Sequence, residues 1–225
     1  KYYKGKAFLP KAFKSQNHIA EIQGVYVPFW LFDAEADARG SYDGQVSESH
    51  REGDYRVTTT QHYDVRREGT ATFARVPVDG SSKMPDEHMD SIEPFDYSEL
   101  KPFSTAYLPG FLADRYDEDA KTCADRAKTR IENSTAEALR QTLSEYAVVD
   151  TREENINVRM KKAHYTLLPV WMLHTRWKEQ DFLFAMNGQT GRLIGDLPVD
   201  KGRVAAWFAR IALPLMAVLI WLLYL

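Results

Sequence analysis

The 225-residue sequence predicts an α+β fold. It consists of two related antiparallel β units with a helical insertion between them, followed by a C-terminal transmembrane helix. Three observations carry this. Runs of β-branched and aromatic residues, some alternating with period two, fill the first and last thirds of the chain. The stretch between them is rich in Ala, Glu, Asp, Lys, Arg and Leu at helical spacing. The last 22 residues are almost wholly apolar. The expected boundaries are a basic linker at 1–20 and an α+β domain at 21–203. Within that domain lie a β unit at 21–83, a helical segment at 84–146 and a β unit at 147–203. A transmembrane helix follows at 204–225.

Composition narrows the function classes. Hydrophobic residues make up 44% and charged residues 27%, enough to bury a core in one large domain or two small ones. Twenty-nine Lys and Arg stand against 32 Asp and Glu, a net charge of −3, which argues against a dedicated nucleic-acid binder. Cys123 is the single cysteine, so an internal disulfide and a Cys-rich zinc site are excluded. A chain opening on Lys1 reads as a processed chain or a fragment.

The elements follow in order. Residues 1–14 carry Lys1, Lys4, Lys6, Lys11 and Lys14 among Tyr2, Tyr3, Phe8 and Phe13. Lys4, Lys6, Lys11 and Lys14 are a candidate binding surface for anionic lipid or a nucleic-acid strand; the plain structural reading is a solvated linker. Glu21–Asp33 is β-branched and aromatic, a strand in which Pro28 suggests an edge or a bulge. Gly40, Asp43-Gly44 and Gly53 read as turns. Tyr55–Arg66 alternates, and Arg67-Glu68-Gly69 reads as a hairpin turn into Thr70–Val78. Residues 84–111 hold four prolines and read as short helices and ordered loops. Leu112, Tyr116, Ala120, Cys123, Ala127, Ile131, Ala138 and Leu143 form a helical stripe. It is either one long helix or two joined near Asn133-Ser134, where Ser134 and Glu137 match a capping box. Strands return at Tyr146–Asp150, Asn155–Met160, Tyr165–Trp177 and Asp181–Met186. Asn187-Gly188 marks a hairpin into Arg192–Val199.

The strongest local signal is the C-terminus. Ile211–Leu225 is uncharged, with only Pro214 outside the apolar set. Extended back to Val204 it spans about 33 Å as a helix, against a hydrocarbon core of about 30 Å. Trp207 and Trp221 suit the two interfaces, Arg210 can snorkel, and Pro214 is tolerated in a membrane helix. Lys201, Arg203 and Arg210 place the preceding domain in the cytoplasm by the positive-inside rule. The expectation is one C-terminal span with a cytoplasmic N-terminal domain. A buried C-terminal helix is the alternative, and a further span beyond Leu225 stays open.

An internal repeat is also expected. Val27-Pro28-Phe29-Trp30-Leu31-Phe32 resembles Leu168-Pro169-Val170-Trp171-Met172-Leu173, and Val76-Pro77-Val78-Asp79 resembles Leu197-Pro198-Val199-Asp200. The greater spacing in the first half matches one extra hairpin near 39–58. Trp30 and Trp171 would then hold equivalent positions as core residues.

Four stretches, Gly24–Phe32, Val76–Ser82, Ser91–Tyr97 and Phe184–Gly191, resemble a family of bacterial membrane proteins with an N-terminal zinc ribbon of TFIIB type. Its members are often labelled replication-restart or primosomal helicase-like. The resemblance covers nearly the whole chain and implies a ribbon, then a domain like this one, then a C-terminal span. No CxxC pair is present here, so zinc is expected only with a ribbon upstream of Lys1, and no cofactor in this chain. The helicase label finds no support, because a Gly-x-x-x-x-Gly-Lys-Ser/Thr loop is absent.

Catalytic signals are thin, and no catalytic residue is assigned. Asp86, His88 and Asp90, beside Glu87, are the densest metal candidates, but Asp86 and Asp90 share a helix face that His88 leaves. Glu48, His50 and His62 could approach across a hairpin. Ser81-Ser82 and Cys123 lack a neighbouring His. Asp114, Asp117, Glu118 and Asp119 read as helix-start charge, with an acidic docking patch as the alternative. The expected function is a non-enzymatic, membrane-anchored cytoplasmic adaptor, whose partners are the lipid bilayer and a protein of unknown identity. The alternatives are a hydrolase or metal-dependent enzyme with a site between the β units, and a nucleic-acid accessory factor acting with an upstream ribbon. Nucleic acid is not expected to bind this chain alone.

Overall fold

The computed structural model describes residues 19–223. The chain is mostly antiparallel β sheet with helices, in keeping with the expected α+β class. The strands are β1 (Ile19–Glu52), β2 (Tyr55–Asp79), β3 (Leu112–Ala113), β4 (Val148–Trp177), β5 (Gln180–Asn187) and β6 (Leu193–Gly195). The helices are α1 (Asp86–Ser91), α2 (Ala120–Gln141) and α3 (Lys201–Leu223). Two compact units result: a central unit of Val27–Lys83 and Asp114–Leu167, and a terminal unit within 1–26, 84–113 and 168–225. The expected helical segment, 84–146, is divided between them. The basic linker lies outside the described residues.

In the central unit β1 and β2 form one long antiparallel hairpin, in register from Phe29↔Asp79 to Glu52↔Tyr55. β4 flanks β1 on its other side. The hairpin turns only at Gly53-Asp54, where Gly53 has φ +62°. The turns expected at Gly40, Asp43-Gly44 and Arg67-Glu68-Gly69 are absent, and the strands run straight through them. Gly40 and Gly44 serve close packing instead. A Cβ at Gly40 would lie 2.3 Å from the Tyr42 hydroxyl, and one at Gly44 would lie 2.6 Å from the Tyr146 ring. The extra residues near 39–58 therefore lengthen the one hairpin.

A bulge between Phe32 and Ala34 sets which face of β1 is buried. Asp33 Oδ1 accepts from the Arg75 backbone N–H at 2.9 Å, opposite the bulge, where Arg75 has φ +57°. Beyond it, Ala34, Ala36, Ala38, Gly40 and Tyr42 point inward and are buried, with odd-numbered residues outside. The small inner side chains admit α2 closely. α2 is one continuous helix through Asn133-Ser134, capped by Asp119, whose Oδ1 accepts from Thr122 N at 2.8 Å. Its buried stripe is Cys123, Ala127, Ile131, Thr135 and Leu139. Leu112 and Tyr116 lie before the helix, and Ala138 is exposed. Cys123 and Ala127 pack with Phe32 and Val78; Ile131 packs with Ala34 and Ala36.

The separate strand signals at 146–150, 155–160 and 165–177 merge into β4, which continues through Pro169. In the terminal unit the end of β4 pairs with β5 from Val170↔Asn187 to Trp177↔Gln180, and β5 pairs with β6. Phe182 and Phe184 form its core with Leu173, Trp177, Leu193 and Leu197. The β5–β6 turn has its left-handed residue at Gly191, φ +71°, rather than at Asn187-Gly188. Gly188 is needed for close approach: its N–H donates to Pro169 O at 2.8 Å, and a Cβ there would lie 2.7 Å from that oxygen.

The central unit holds a matching contact. Gly80 N donates to Pro28 O at 2.9 Å. In each case the glycine follows a fully buried Asp79 or Asn187 that pairs with the residue after the proline. Trp30 stands opposite Val78, and Trp171 opposite Met186. The residues opposite Val170 and Trp171 are Asn187 and Met186. Leu197–Asp200, expected as the counterpart of Val76–Asp79, lies outside any strand, between β6 and α3.

α3 begins at Lys201. Asp200 Oδ1 accepts from Arg203 N at 3.1 Å and Asp200 O from Val204 N, an N-cap that satisfies otherwise orphaned donors. The helix has 23 residues, Pro214 among them, and none is buried. It is long and apolar enough to cross a membrane.

Candidate functional site

The outer face of the central sheet sets acidic side chains of β1 against basic ones of β4. Glu35 pairs with Lys161 and Arg159, and Asp37 with Arg159 and Thr70. Asp33 Oδ2 lies 3.2 Å from His164 Nε2. Arg152 bridges Asp43 and Asp64, and His62 Nδ1 lies 3.3 Å from Asp43. The carboxyls of Asp33, Glu35 and Asp37 sit below their ordinary range. The largest causes are the Arg75 N–H for Asp33, Lys161 for Glu35 and Arg159 for Asp37.

Past Gln45, whose carbonyl accepts from Ala147 N, the hairpin extends as a two-stranded arm. Nearly every residue from Ser47 to Thr60 is exposed. Ser47 bonds Thr60 at 2.9 Å and Ser49 bonds Thr58 at 2.8 Å. Tyr55 at the turn is 79% exposed. Six residues per strand reach about 20 Å. An isolated hairpin is marginal in water; here the base is held by Tyr42, Val65 and Leu143, which pack together.

On the helix side, α2 and β4 border an open groove of about 570 Å³ lined by Glu132, Asn133, Ala136, Glu137, Arg140, Glu154 and Ile156. Glu154 accepts from Tyr42 Oη at 2.9 Å and Arg140 Nη2 at 3.2 Å. Burial, then the Glu154 contact, pushes the Tyr42 phenol up to about 12.

The sequence-predicted chemistry is scattered. Asp86 and Asp90 are exposed, while His88 is buried with Nε2 3.4 Å from Asp196 Oδ1. His88 thus ties α1 to the segment before α3 instead of joining the carboxylates. Glu48 and His50 point to one face of the hairpin; His62, opposite Gln45, points to the other. Among the described residues, no group of three or more His, Cys, Asp and Glu could hold a metal. Ser81 donates to Asp114, and Ser82 to Asp117. Lys83 binds Asp114 at 2.7 Å, which raises its pKa and keeps it charged. These contacts clamp the loop after β2 to the approach to α2. Cys123 is fully buried, and burial, then Glu118, pushes its thiol up to about 12. A zinc ribbon's ligand set does not fit these residues: the one cysteine lies in the core.

Trp30 donates to Glu118 O at 3.0 Å and packs with Tyr116 and Tyr165 at ring distances of 5.3 and 5.2 Å. Trp207, Arg210, Pro214 and Trp221 all lie on α3. Lys4, Lys6, Lys11 and Lys14 lie outside the described residues.

Sequence reasoning missed two buried polar anchors. Asp79, fully buried, receives Arg126 Nη2 at 2.9 Å. Asn187 donates to Ile92 O and Pro94 O, each at 3.0 Å, while its Oδ1 accepts from Gln189 N and Thr190 N. The only sequence signal was a polar residue before glycine at the end of an apolar strand.

The chain is similar to the uncharacterized protein YdjG of Bacillus subtilis (strain 168). The two are 38% identical over 212 residues, 94% of this chain. The chain spans 62% of the length of that relative. No family model matches, and no solved structure matches.

Proposed function

We propose that the chain is a membrane-anchored adaptor: α3 crosses the bilayer and the β domain presents a binding surface in the cytoplasm. The observation that carries this is α3 itself, 23 residues with none buried. An apolar helix with no buried residue has no low-energy home in water. Its length of about 35 Å covers a hydrocarbon core of about 30 Å. Lys201, Arg203 and Arg210 at its start support a cytoplasmic N-terminal side. In this reading the Ser47–Thr60 arm meets the protein partner, and its hydroxyls, Arg51, Arg56 and Tyr55 are all exposed. The equivalent proline–glycine contacts at Pro28–Gly80 and Pro169–Gly188 support the reading of two related β units.

The test is fractionation and crosslinking of the full chain in cells. The wild type stays in the membrane through alkaline extraction, and Leu215→Arg with Leu219→Arg moves it to the soluble fraction. An insertion cost of about 2.5–3.5 kcal/mol per arginine makes the double variant decisive. A photo-crosslinker at Thr59 yields a discrete protein adduct. A wild type released at high pH sinks the anchor, and no adduct from the arm sinks the adaptor.

A further inference from the structure

The exposed aliphatic and phenylalanine side chains outside α3 are unevenly shared. Among the described residues, Ile22 (53%), Leu100 (38%), Phe103 (68%), Leu112 (55%) and Val199 (63%) belong to the terminal unit and Val148 to the central unit, whose other exposed large side chains are Tyr55, Tyr63 and Tyr165. Leu100 and Phe103, with Tyr107 at 50%, lie on one loop between α1 and β3, and Leu112 opens β3 after it. Residues 98–107 of that loop are exposed throughout. The loop holds two short 3-10 turns, Tyr97–Glu99 and Thr105–Tyr107, each with a side-chain cap from Asp96 or Ser104.

Both ends of the loop are pinned. Before it, Asp96 N and O bond the Gln189 side chain, and Arg192 Nη1 donates to Glu93 O at 2.6 Å. After it, Phe111 packs on Tyr26 and Trp171 at 5.1 and 5.2 Å and covers Gly24, where a Cβ would lie 2.5 Å from its ring. Fixed ends with an apolar tip are the opposite of a loop selected for solubility, whose exposed residues are small and polar. The fixing elements, β5 and its turn, lead through β6 straight into α3. His88 and Asp196 tie α1 to that same stretch.

We propose that residues 100–107 form a second membrane contact, inserting Leu100, Phe103 and Tyr107 into the interfacial layer of the bilayer that α3 spans. This rests on the transmembrane reading of α3. The compact unit that carries the apolar helix also carries this loop, and that shared unit argues for lipid as the occupant. Lys101, exposed between Leu100 and Pro102, stands where a phosphate headgroup would pair with it. Phenylalanine and tyrosine rings suit the headgroup boundary, about 5–10 Å into the interface. One such loop binds weakly alone. Beside a span it acts intramolecularly, so a small apolar area suffices to hold the domain at the surface.

The test uses the full chain in nanodiscs of phosphatidylcholine and phosphatidylglycerol. The buried Cys123 leaves single cysteines at Phe103→Cys, Thr59→Cys or Leu219→Cys free to take an environment-sensitive fluorophore. The expected result at position 103 is blue-shifted emission, quenching by a shallow nitroxide lipid and loss of iodide quenching. Position 59 stays accessible to iodide, and position 219 is quenched by deep nitroxides. If 219 reports lipid while 103 behaves like 59, the loop proposal is overturned and the span stands. If 103 is shielded from iodide yet untouched by nitroxide lipid, protein covers the loop and the proposal is overturned. If 219 itself is not quenched, the span is wrong and the loop proposal goes with it.

Discussion

Ile131→Ala probes how α2 is held to the sheet. Ile131 is 1% exposed and packs on Ala34 and Ala36, with Phe73, Val76, Ile156, Val158 and Met160 around it. The substitution removes three carbons, worth about 2.4 kcal/mol at about 0.8 kcal/mol each. The cavity left behind adds about 1 kcal/mol, because Ala34 and Ala36 have no side-chain atoms with which to fill it. The expected loss is about 3–4 kcal/mol. With a urea slope of about 2 kcal/mol/M, the midpoint falls by roughly 1.5–2 M. The assay is urea unfolding of the full chain in mild detergent, with hydrogen exchange to locate the weakened amides. Exchange quickens in α2 and in the facing stretch of β1, while α1 and β5 change little. The exposed Asn133→Ala stays within about 0.5 kcal/mol. A loss below about 1 kcal/mol for Ile131→Ala would refute the close seating of α2 on the small face of β1.

Three further outcomes are expected. Asp33, Glu35 and Asp37 have folded pKa values below their unfolded ones. Their stabilisation is therefore present above the unfolded values near pH 4 and lost as pH falls through the lower folded values. Urea midpoints measured from pH 6 to pH 2 fall in that window, and the triple Asn/Gln/Asn variant flattens the drop; an unchanged drop would count against these carboxylates. Cys123, buried with its thiol pushed up to about 12, does not react with a disulfide reagent at pH 8 until denaturant is added; rapid native labelling would contradict its burial. Gly188→Ala forces a Cβ against Pro169 O and costs about 1–3 kcal/mol. Gly69→Ala meets nothing within 4 Å and is neutral or stabilising by up to about 1 kcal/mol. Thermal unfolding separates the two, and a large loss at Gly69 would restore the turn once expected there.

The chain's own pattern was enough to show the β-rich ends, the short helices of the middle, the stripe of Cys123, Ala127 and Ile131, and the apolar helix at the C-terminus. Each is a local periodicity, and periodicity survives without knowing what lies opposite. Strand continuity did not survive, because a glycine reads alike whether it turns the chain or makes room. Gly53 turns β1 into β2, while Gly40 and Gly44 admit Tyr42 and Tyr146. Only the tertiary structure separates these, since the deciding atoms come from other parts of the fold. The same holds for His88, Asp86 and Asp90. Spacing made them neighbours, but the packing of α1 buries the histidine toward Asp196 while Asp86 and Asp90 stay exposed. Asp79 and Asn187 could be placed only once Arg126, Ile92 and Pro94 were in position to bond them. A side chain's periodicity is written along the chain, whereas its partners are chosen across it.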